Sequence, residues 1–177
     1  MAGLRQDGGM TSCRLTLPDL DATESLGRSL ARLLRPGDSL LLDGPLGAGK
    51  TALARALLRE ACGRAEMEVP SPSYTLVQSY DAIGPDGTIL PIAHFDLWRL
   101  SGPEALEELG WDEAREGVVL VEWPDRLGPL APPDALRVTL RLIPAGSDRC
   151  PDPDAEAPRL ALIEGWPDRL AAGPGAP

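Results

Sequence analysis

The chain has 177 residues, and its 17 basic against 27 acidic side chains give a formal net charge of −10. No stretch approaches the ~18 uninterrupted apolar residues of a membrane span, and the start lacks the apolar core of a signal peptide, so we expect a soluble, cytoplasmic protein without a membrane partner. Like-charge repulsion opposes direct contact with a nucleic acid backbone, so an RNA role would need a partner that holds the RNA.

The length of the chain predicts one domain, which we place at residues 13–170. Residues 1–12 show little apolar periodicity and are predicted to be a loose N-terminus. Residues 171–177 contain only Gly, Ala and Pro and are predicted to be a disordered tail. The three cysteines have neither the spacing of a disulfide framework nor that of a metal site, so we interpret them as reduced thiols.

The first predicted helix begins near Asp21, whose spacing from Glu24 is typical of a helix-capping pair. Leucines then follow at the i, i+4, i+7 and i+8 positions of a helix that packs one face on a core, namely Leu26, Leu30, Leu33 and Leu34. The apolar residues 39–42 predict a buried strand, and a further leucine stripe predicts a helix that ends near Ala61. With the residues between them, this strand and this helix form a β-loop-α unit.

The loop of that unit, Gly-Pro-Leu-Gly-Ala-Gly-Lys-Thr at residues 44–51, is typical of a phosphate-binding loop. Glycines let several amide groups point at phosphate oxygens, and the following helix presents its positive end to the same charge. Lys50 would reach the β and γ phosphates, and Thr51 would hold Mg²⁺ through its hydroxyl. The predicted nucleotide-binding residues in the loop are Gly44, Leu46, Gly47, Ala48, Gly49, Lys50 and Thr51. An ordinary glycine-rich turn is the alternative, which the flanking strand and helix disfavour.

The second half of the chain supplies further strands. Residues 74–80 and 88–97 are rich in β-branched, aromatic or apolar side chains and flank a turn at 84–87, which predicts an antiparallel hairpin. Ser101 and Glu104 predict the capped start of a short helix that ends at Gly110.

Three more strands are predicted after this helix. Residues 117–121 form an uninterrupted apolar run, as expected of a strand buried on both faces. Residues 134–143 and 159–164 predict two strands, with a proline-rich and acidic excursion at 146–158 between them. Together the elements predict an α/β fold, a P-loop NTPase-like three-layer sandwich with a mixed, partly antiparallel sheet.

Two carboxylates are candidates to complete the phosphate site. Glu122 follows a buried strand directly, so it should emerge at the carboxyl edge of the sheet, where the phosphate loop also lies. We interpret it as a metal ligand beside Thr51, the alternative being a strand-end acid bonded to a turn. Asp96 lies two residues after His94, so both side chains should point to the same face and could share a polar site. For His94 alone, a structural role is at least as well supported as a proton carrier.

The connector before the hairpin offers hydroxyl groups. Ser71, Ser73 and Thr75 lie in a loop that prolines constrain, and such a loop could close over the γ-phosphate as switch segments do. Trp123 follows Glu122 and is therefore expected near the nucleotide. The sequence thus gives Asp96 and Glu122 as candidate catalytic carboxylates and the hydroxyls of this loop as further candidates.

With these segments identified, the chain resembles the TsaE (YjeE) family, the ATPase of bacterial N6-threonylcarbamoyladenosine tRNA modification. The resemblance spans about residues 20–142 and rests on five motifs in family order. They are the phosphate loop at 44–51, Ser-Pro-Ser-Tyr-Thr-Leu-Val at 71–77, His-Phe-Asp-Leu-Trp-Arg-Leu at 94–100, Glu-Leu-Gly-Trp-Asp-Glu at 108–113 and Val-Glu-Trp-Pro-Asp at 121–125.

This resemblance implies ATP and Mg²⁺ as cofactors, bound through Lys50 and Thr51, with Glu122 in the metal shell. It places Asp96 and the Thr75 loop beside the γ-phosphate, which makes Thr75 a candidate catalytic residue with Asp96 and Glu122. It also places Thr23 near the base or ribose and Trp123 at the lip of the site. The implied partners are the proteins TsaD and TsaB. ATP turnover would reset their complex between rounds of tRNA modification. The tRNA, modified at the adenosine next to the anticodon, would be reached indirectly through that complex.

The chain departs from the family pattern at three places. Pro45 stands where the family often has Asp, Trp98 stands where Tyr is common, and the 146–158 excursion is longer than expected. Arg159 is the candidate for a C-terminal nucleotide contact.

Two other functions remain open from the sequence. One is a small-molecule kinase, which would need an acceptor pocket and usually an arginine-bearing lid, and no inserted segment has that composition. The other is a nucleotide-dependent docking module in which occupancy alone, without turnover, controls assembly.

Overall fold

The structure, a computed structural model, describes residues 3–7, 10–84, 86–144 and 157–172. Within these ranges eight strands form one sheet: β1 Gly3–Asp7, β2 Met10–Leu17, β3 Ser39–Asp43, β4 Val77–Ile83, β5 Ile89–Asp96, β6 Val118–Glu122, β7 Leu136–Leu142 and β8 Arg159–Glu164. The helices are α1 Leu20–Ala31, α2 Lys50–Ala61, α3 Trp111–Ala114 and α4 Pro167–Ala172, with 3₁₀ segments at Pro103–Leu109 and Pro124–Leu130. None of the described helices has both the length and the apolar character needed to cross a membrane.

The sheet is mixed. Its strands lie in the order β1-β2-β8-β7-β3-β6-β5-β4. β3 runs parallel to both β6 and β7, and β6 runs parallel to β5, whereas the other neighbouring strands pair antiparallel. The carboxyl ends of β3, β5 and β6 therefore meet at one edge of the sheet, where α/β folds place their ligands.

Helical layers cover both faces of this sheet. Side chains alternate along β3, so Leu40 and Leu42 pack in a hydrophobic cluster with α1 and α2, whereas Leu41 packs in a second cluster. That second cluster includes Leu106 of a 3₁₀ segment and Trp111 of α3. The predicted three-layer α/β fold with a mixed sheet is confirmed.

The two large helices have the predicted leucine stripes, but α1 begins earlier than expected. Its N-cap is Asp19, whose extended backbone lets the side chain accept a hydrogen bond from the Ala22 amide at 2.8 Å. The predicted capping residue, Asp21, lies inside the first turn instead. The helix ends at Ala31, so Leu34 packs in the core from the following turn.

The hairpin of β4 and β5 pairs antiparallel, from Val77 opposite Phe95 to Ile83 opposite Ile89, as predicted. The first strand begins three residues later than expected and extends to Ile83, because residues 74–76 belong to the preceding loop. Leu76 adopts a positive φ of 64°, and its amide donates to the carbonyl of Pro72 at 2.7 Å, which closes a turn rather than extending a strand.

The short helix predicted after Ser101 differs in two respects. It is a 3₁₀ segment, and its N-cap position is held by Gly102 without a side-chain cap bond, so the predicted Ser101 cap is wrong. Gly110 ends the segment in the left-handed region, with φ of 70°, as predicted.

The chain termini are more ordered than the sequence suggested. Residues 3–7, expected to be loose, form β1 and pair antiparallel with β2, which begins at Met10. Edge pairing of this kind uses backbone hydrogen bonds and needs no apolar alternation, so periodicity could not reveal it. Ala171 and Ala172 end α4, whereas the rest of the predicted tail and most of the predicted excursion lie outside the described residues.

Candidate functional site

Three parallel strands bring the candidate residues to one edge of the sheet. Lys50 and Thr51 begin α2, a few residues after β3 ends. Glu122 is the last residue of β6 and lies opposite both Leu42 of β3 and Asp96 of β5 in the strand register. The phosphate loop and the two carboxylates therefore meet where all three strands end.

The loop between β3 and α2 needs its glycines for specific reasons. Gly44 has φ of 137°, and a Cβ there would lie 2.3 Å from the carbonyl oxygen of Leu140 on β7. Gly49 caps α2 in the left-handed region, with φ of 104°, and provides no side-chain cap. The first amide groups of α2 consequently remain without a capping side chain, which is the arrangement that binds anions at helix N-termini.

Lys50 is 5% exposed and lies inside its own loop. Its Nζ donates to the carbonyl oxygens of Gly44 at 2.8 Å and Pro45 at 2.9 Å, and lies 3.7 Å from the ring centroid of Trp123. Desolvation lowers the pKa of Lys50 from its ordinary value of 10.5, while the charge of Glu122 acts in the opposite direction. These contacts hold the ammonium group at the centre of the site.

Glu122 is held from both sides. Thr51 Oγ1 donates to its Oε2 at 2.9 Å, and His94 Nε2 lies 3.0 Å from its Oε1. Glu122 is 2% exposed and His94 is completely buried. The carboxylate therefore has one protein partner on each oxygen.

Asp96 anchors the connector that precedes the hairpin. Its Oδ2 accepts from the hydroxyls of Ser71 at 3.0 Å and Ser73 at 2.8 Å, and its Oδ1 accepts from the backbone amide of Trp98 at 3.1 Å. The side chain is 3% exposed. The connector is thereby bound to the same sheet edge as the phosphate loop.

Two tryptophans border the site. The rings of Trp98 and Trp123 contact each other at 4.3 Å between centroids with a 46° tilt. Trp123 has a positive φ of 63°, which turns the chain sharply after Glu122 and lets the ring contact Lys50. Such backbone strain in a bulky residue is common at functional sites.

These groups enclose a pocket of about 250 Å³. The predicted site residues that line it are Leu46, Gly47, Gly49, Lys50, Thr51, Asp96, Glu122 and Trp123. The other lining residues are Ser71 and Ser73, two of the loop hydroxyls that the sequence offers, and Ala52 and Trp98, which have no predicted role in the site.

Four predicted site residues do not line this pocket. Thr23 is fully buried, its hydroxyl donates to the carbonyl of Asp19 at 3.1 Å, and its methyl group lies next to Gly49. Thr75 is exposed and outside the pocket, because the connector turns away after Ser73. Gly44 and Ala48 contribute carbonyl groups instead, to Lys50 and to Arg159.

One lining residue, Trp98, has no predicted role in the site. Its local signal is its position two residues after Asp96. Arg159, the candidate for a C-terminal nucleotide contact, is 8% exposed, and its Nε donates to the carbonyl of Ala48 at 3.2 Å. No local pattern could place Arg159 against the phosphate loop, because the two residues are 111 positions apart.

Comparison with known proteins identifies the family. A family model described as "Threonylcarbamoyl adenosine biosynthesis protein TsaE" matches residues 17–148, about three quarters of the chain. The chain belongs to the TsaE family. The resemblance inferred from the five motifs is therefore confirmed.

Individual TsaE relatives match over most of their length. Three relatives named tRNA threonylcarbamoyladenosine biosynthesis protein TsaE illustrate this. That of Rickettsia felis is 35% identical over 77% of both chains, and that of Streptomyces coelicolor is 36% identical over 82% of this chain and 92% of its own. That of Bacillus subtilis is 34% identical over 72% of this chain and 75% of its own.

A solved structure supports the fold described above. The crystal structure of Bacillus subtilis YdiB superposes with a TM-score of 0.66 over 93% of each chain, at 24% sequence identity. This similarity agrees with the mixed sheet and its helical layers, and the P-loop NTPase-like architecture is consistent with it.

Proposed function

We propose that this TsaE family member binds ATP with Mg²⁺ and hydrolyses it slowly, in support of N6-threonylcarbamoyladenosine modification of tRNA. One observation carries the proposal: Lys50 and Thr51, at the N-terminus of α2, face a buried carboxylate, Glu122, that Thr51 contacts at 2.9 Å. The phosphate tail of a nucleotide needs a positive charge and amide donors, and the Mg²⁺ that accompanies it needs oxygen ligands. This pocket combines all of these groups.

The pocket suits phosphate. Lys50 provides a positive charge, and the uncapped end of α2 provides amide donors and a favourable dipole. A phosphate anion would also raise the pKa of Lys50, because its negative charge favours the ammonium form and opposes the effect of desolvation. The pocket's volume suits the phosphate tail, so we place the base and ribose on the adjoining surface.

The oxygen donors also suit Mg²⁺. In the part of the chain that the structure describes, no group of three or more His, Cys, Asp or Glu residues forms a metal cage. Magnesium that accompanies a nucleotide needs few protein ligands, since phosphates and water complete its octahedral shell. Thr51 Oγ1 and Glu122 Oε2 are the groups that would hold it, and a bound cation would neutralise charge on the phosphates.

The hydrogen bonds that hold the two carboxylates give a reason for slow ATP hydrolysis. Glu122 has a protein partner on each oxygen, and Asp96 accepts three hydrogen bonds from Ser71, Ser73 and the Trp98 amide. Each carboxylate can still accept a further hydrogen bond, but these bonds fix the direction in which it can orient an attacking water. We propose that contact with partner proteins positions that water, by moving the connector or the tryptophans.

The partners that we propose are TsaD and TsaB, with the tRNA held by their complex in the cytoplasm. The net charge of −10 supports this division, because the chain itself repels a nucleic acid backbone. Turnover of ATP would then reset the complex between rounds of modification.

Replacing Glu122 tests turnover against simple docking. We expect Glu122→Ala to reduce ATP hydrolysis about 100-fold or more, because a positioned carboxylate contributes about that much to proton transfer and charge stabilisation. ATP binding in calorimetry should persist, since Lys50 and the loop amides remain. Modification of tRNA, reconstituted with TsaB and TsaD, should be lost.

A matched control is Glu116→Ala, which removes an exposed acid near the opposite end of β6 and should leave hydrolysis and modification unchanged. Normal modification by Glu122→Ala would instead favour the docking module, in which nucleotide occupancy suffices. Loss of modification in both variants would point to a fold defect, which far-UV circular dichroism would reveal.

A further inference from the structure

A buried histidine lies behind the proposed cation ligand. His94 is the only histidine of the chain and has no exposed surface. It lies on β5 opposite Leu120 of β6, two residues before Glu122, so its ring reaches the Glu122 carboxylate across the two neighbouring strands. Its Nε2 approaches Oε1 at 3.0 Å, while Thr51 holds the other oxygen, Oε2.

The hydrogen-bond network assigns the ring proton. An ionised carboxylate can only accept, so the Nε2 of His94 carries the hydrogen in this contact. His94 Nδ1 is buried and has no hydrogen-bond partner among the described residues. A lone pair is tolerated there better than a buried N–H without an acceptor, which agrees with a ring protonated at Nε2 alone.

We propose that His94 is a positioning residue that fixes the carboxylate plane of Glu122, so that Oε2 stays beside Thr51 for Mg²⁺ coordination. The inference rests on the proposed ATP and Mg²⁺ site. The last torsion of a glutamate side chain is broad, so a carboxylate held by Thr51 alone would turn about that torsion and tilt its plane away from the cation. Hydrogen-bond partners of metal-binding groups typically change metal affinity or activity by about 10–100-fold when replaced.

A merely structural histidine makes a different prediction. If the ring only filled the space between β5 and β6, an apolar side chain of similar size would leave the cation site unaffected. If Nε2 holds Glu122, a replacement must place an N–H donor at the same distance from the backbone. The amide nitrogen of Gln reaches about as far as Nε2, whereas that of Asn is shorter and cannot reach Glu122.

The experiment compares His94→Gln, His94→Asn and His94→Leu with the wild type. Affinity for Mn²⁺ in the presence of a non-hydrolysable ATP analogue is measured from the electron paramagnetic resonance signal of free Mn²⁺. We expect His94→Asn and His94→Leu to weaken Mn²⁺ binding about 10–100-fold and His94→Gln to remain within about threefold of the wild type. Calorimetry in EDTA should show nucleotide affinities within about threefold for all four proteins, because Lys50 and the loop are unchanged.

Two results would overturn the role of His94. One is Mn²⁺ affinity in the Asn and Leu variants equal to that of the wild type, and the other is a Gln variant as weakened as the Asn variant. Circular dichroism accompanies each measurement, and the comparison of Gln with Asn decides the matter where the Leu variant does not fold. A wild type without any Mn²⁺ binding would reject the proposed function itself, and with it this inference.

Discussion

At the scale of single residues, Lys50 already has partners without a nucleotide. Two loop carbonyls and the Trp123 ring contact its ammonium group. Hydrogen bonds to charged groups contribute about 1.5–3 kcal/mol each, and an aromatic face adds further attraction when it is desolvated. These contacts hold the charge at the N-terminus of α2, so the ammonium group is already in position for a phosphate.

Removing this cation should abolish ATP binding. For Lys50→Ala we expect at least about 100-fold weaker affinity in calorimetry, because a charge-assisted contact worth a few kcal/mol disappears. The fold should remain intact, as thermal unfolding followed by circular dichroism can show. Arg64→Ala is the matched control, since Arg64 is an exposed cation outside the pocket and its loss should leave affinity nearly unchanged. Undiminished affinity in Lys50→Ala would contradict the proposed phosphate site.

At the scale of elements, the position of the site depends on how closely α1 packs against α2. Gly27 of α1 is buried at this contact, and a Cβ there would lie 2.5 Å from the carbonyl oxygen of Leu53 and 3.1 Å from the Cβ of Ala56. Glycine is normally unfavourable inside a helix, by about 1 kcal/mol relative to alanine. Here its lack of a side chain lets α2 approach, and α2 begins with Lys50 and Thr51.

Adding a side chain at Gly27 should therefore destabilise the protein despite better helix propensity. We expect the free energy of unfolding in urea to fall by about 1–2 kcal/mol for Gly27→Ala and by about 2–3 kcal/mol for Gly27→Val, because overpacking outweighs the propensity gain. Ser25→Ala, on the exposed side of the same helix, should change it by less than about 0.5 kcal/mol. A Gly27→Ala variant more stable than the wild type would show that the two helices separate at little cost.

At the scale of the whole molecule, the net negative charge opposes direct binding to tRNA. The excess of ten acidic side chains repels phosphates at long range, while the loop and α2 attract them only inside a small pocket. The chain is therefore suited to a nucleotide tail and unsuited to gripping an RNA backbone.

We expect the isolated chain to bind tRNA with a dissociation constant weaker than about 10⁻⁴ M at physiological salt, the weak end of non-specific binding. Fluorescence anisotropy of labelled tRNA measures it. Adding a TsaB and TsaD complex should produce an anisotropy increase that the chain alone does not. Micromolar binding by the chain alone would mean that it has a basic surface of its own for RNA.

Much of the fold and part of the site followed from local patterns in the chain. Leucine spacing predicted α1 and α2, and the apolar run before Glu122 predicted β6. Gly110 was correctly predicted to end the short helical segment before it. The glycine-rich loop between strand and helix predicted a phosphate site, because backbone conformation there depends on residues next to one another. Where local rules competed, the prediction failed: Asp19 caps α1 in place of Asp21, and Gly102 holds the position expected for Ser101.

Other features of the site depended on the order and register of the strands, which local periodicity does not encode. Pairing of β5 with β6 brings His94 to Glu122, and β8 carries Arg159 to the carbonyl of Ala48 across 111 positions. Packing of α1 on α2 also buries Thr23, which the resemblance places near the base or ribose, beside Gly49 of the loop. The sequence by itself determined which chemical groups the site contains, and the tertiary structure decided which of them touch, since contacts between distant residues exist only once the sheet and its layers have assembled.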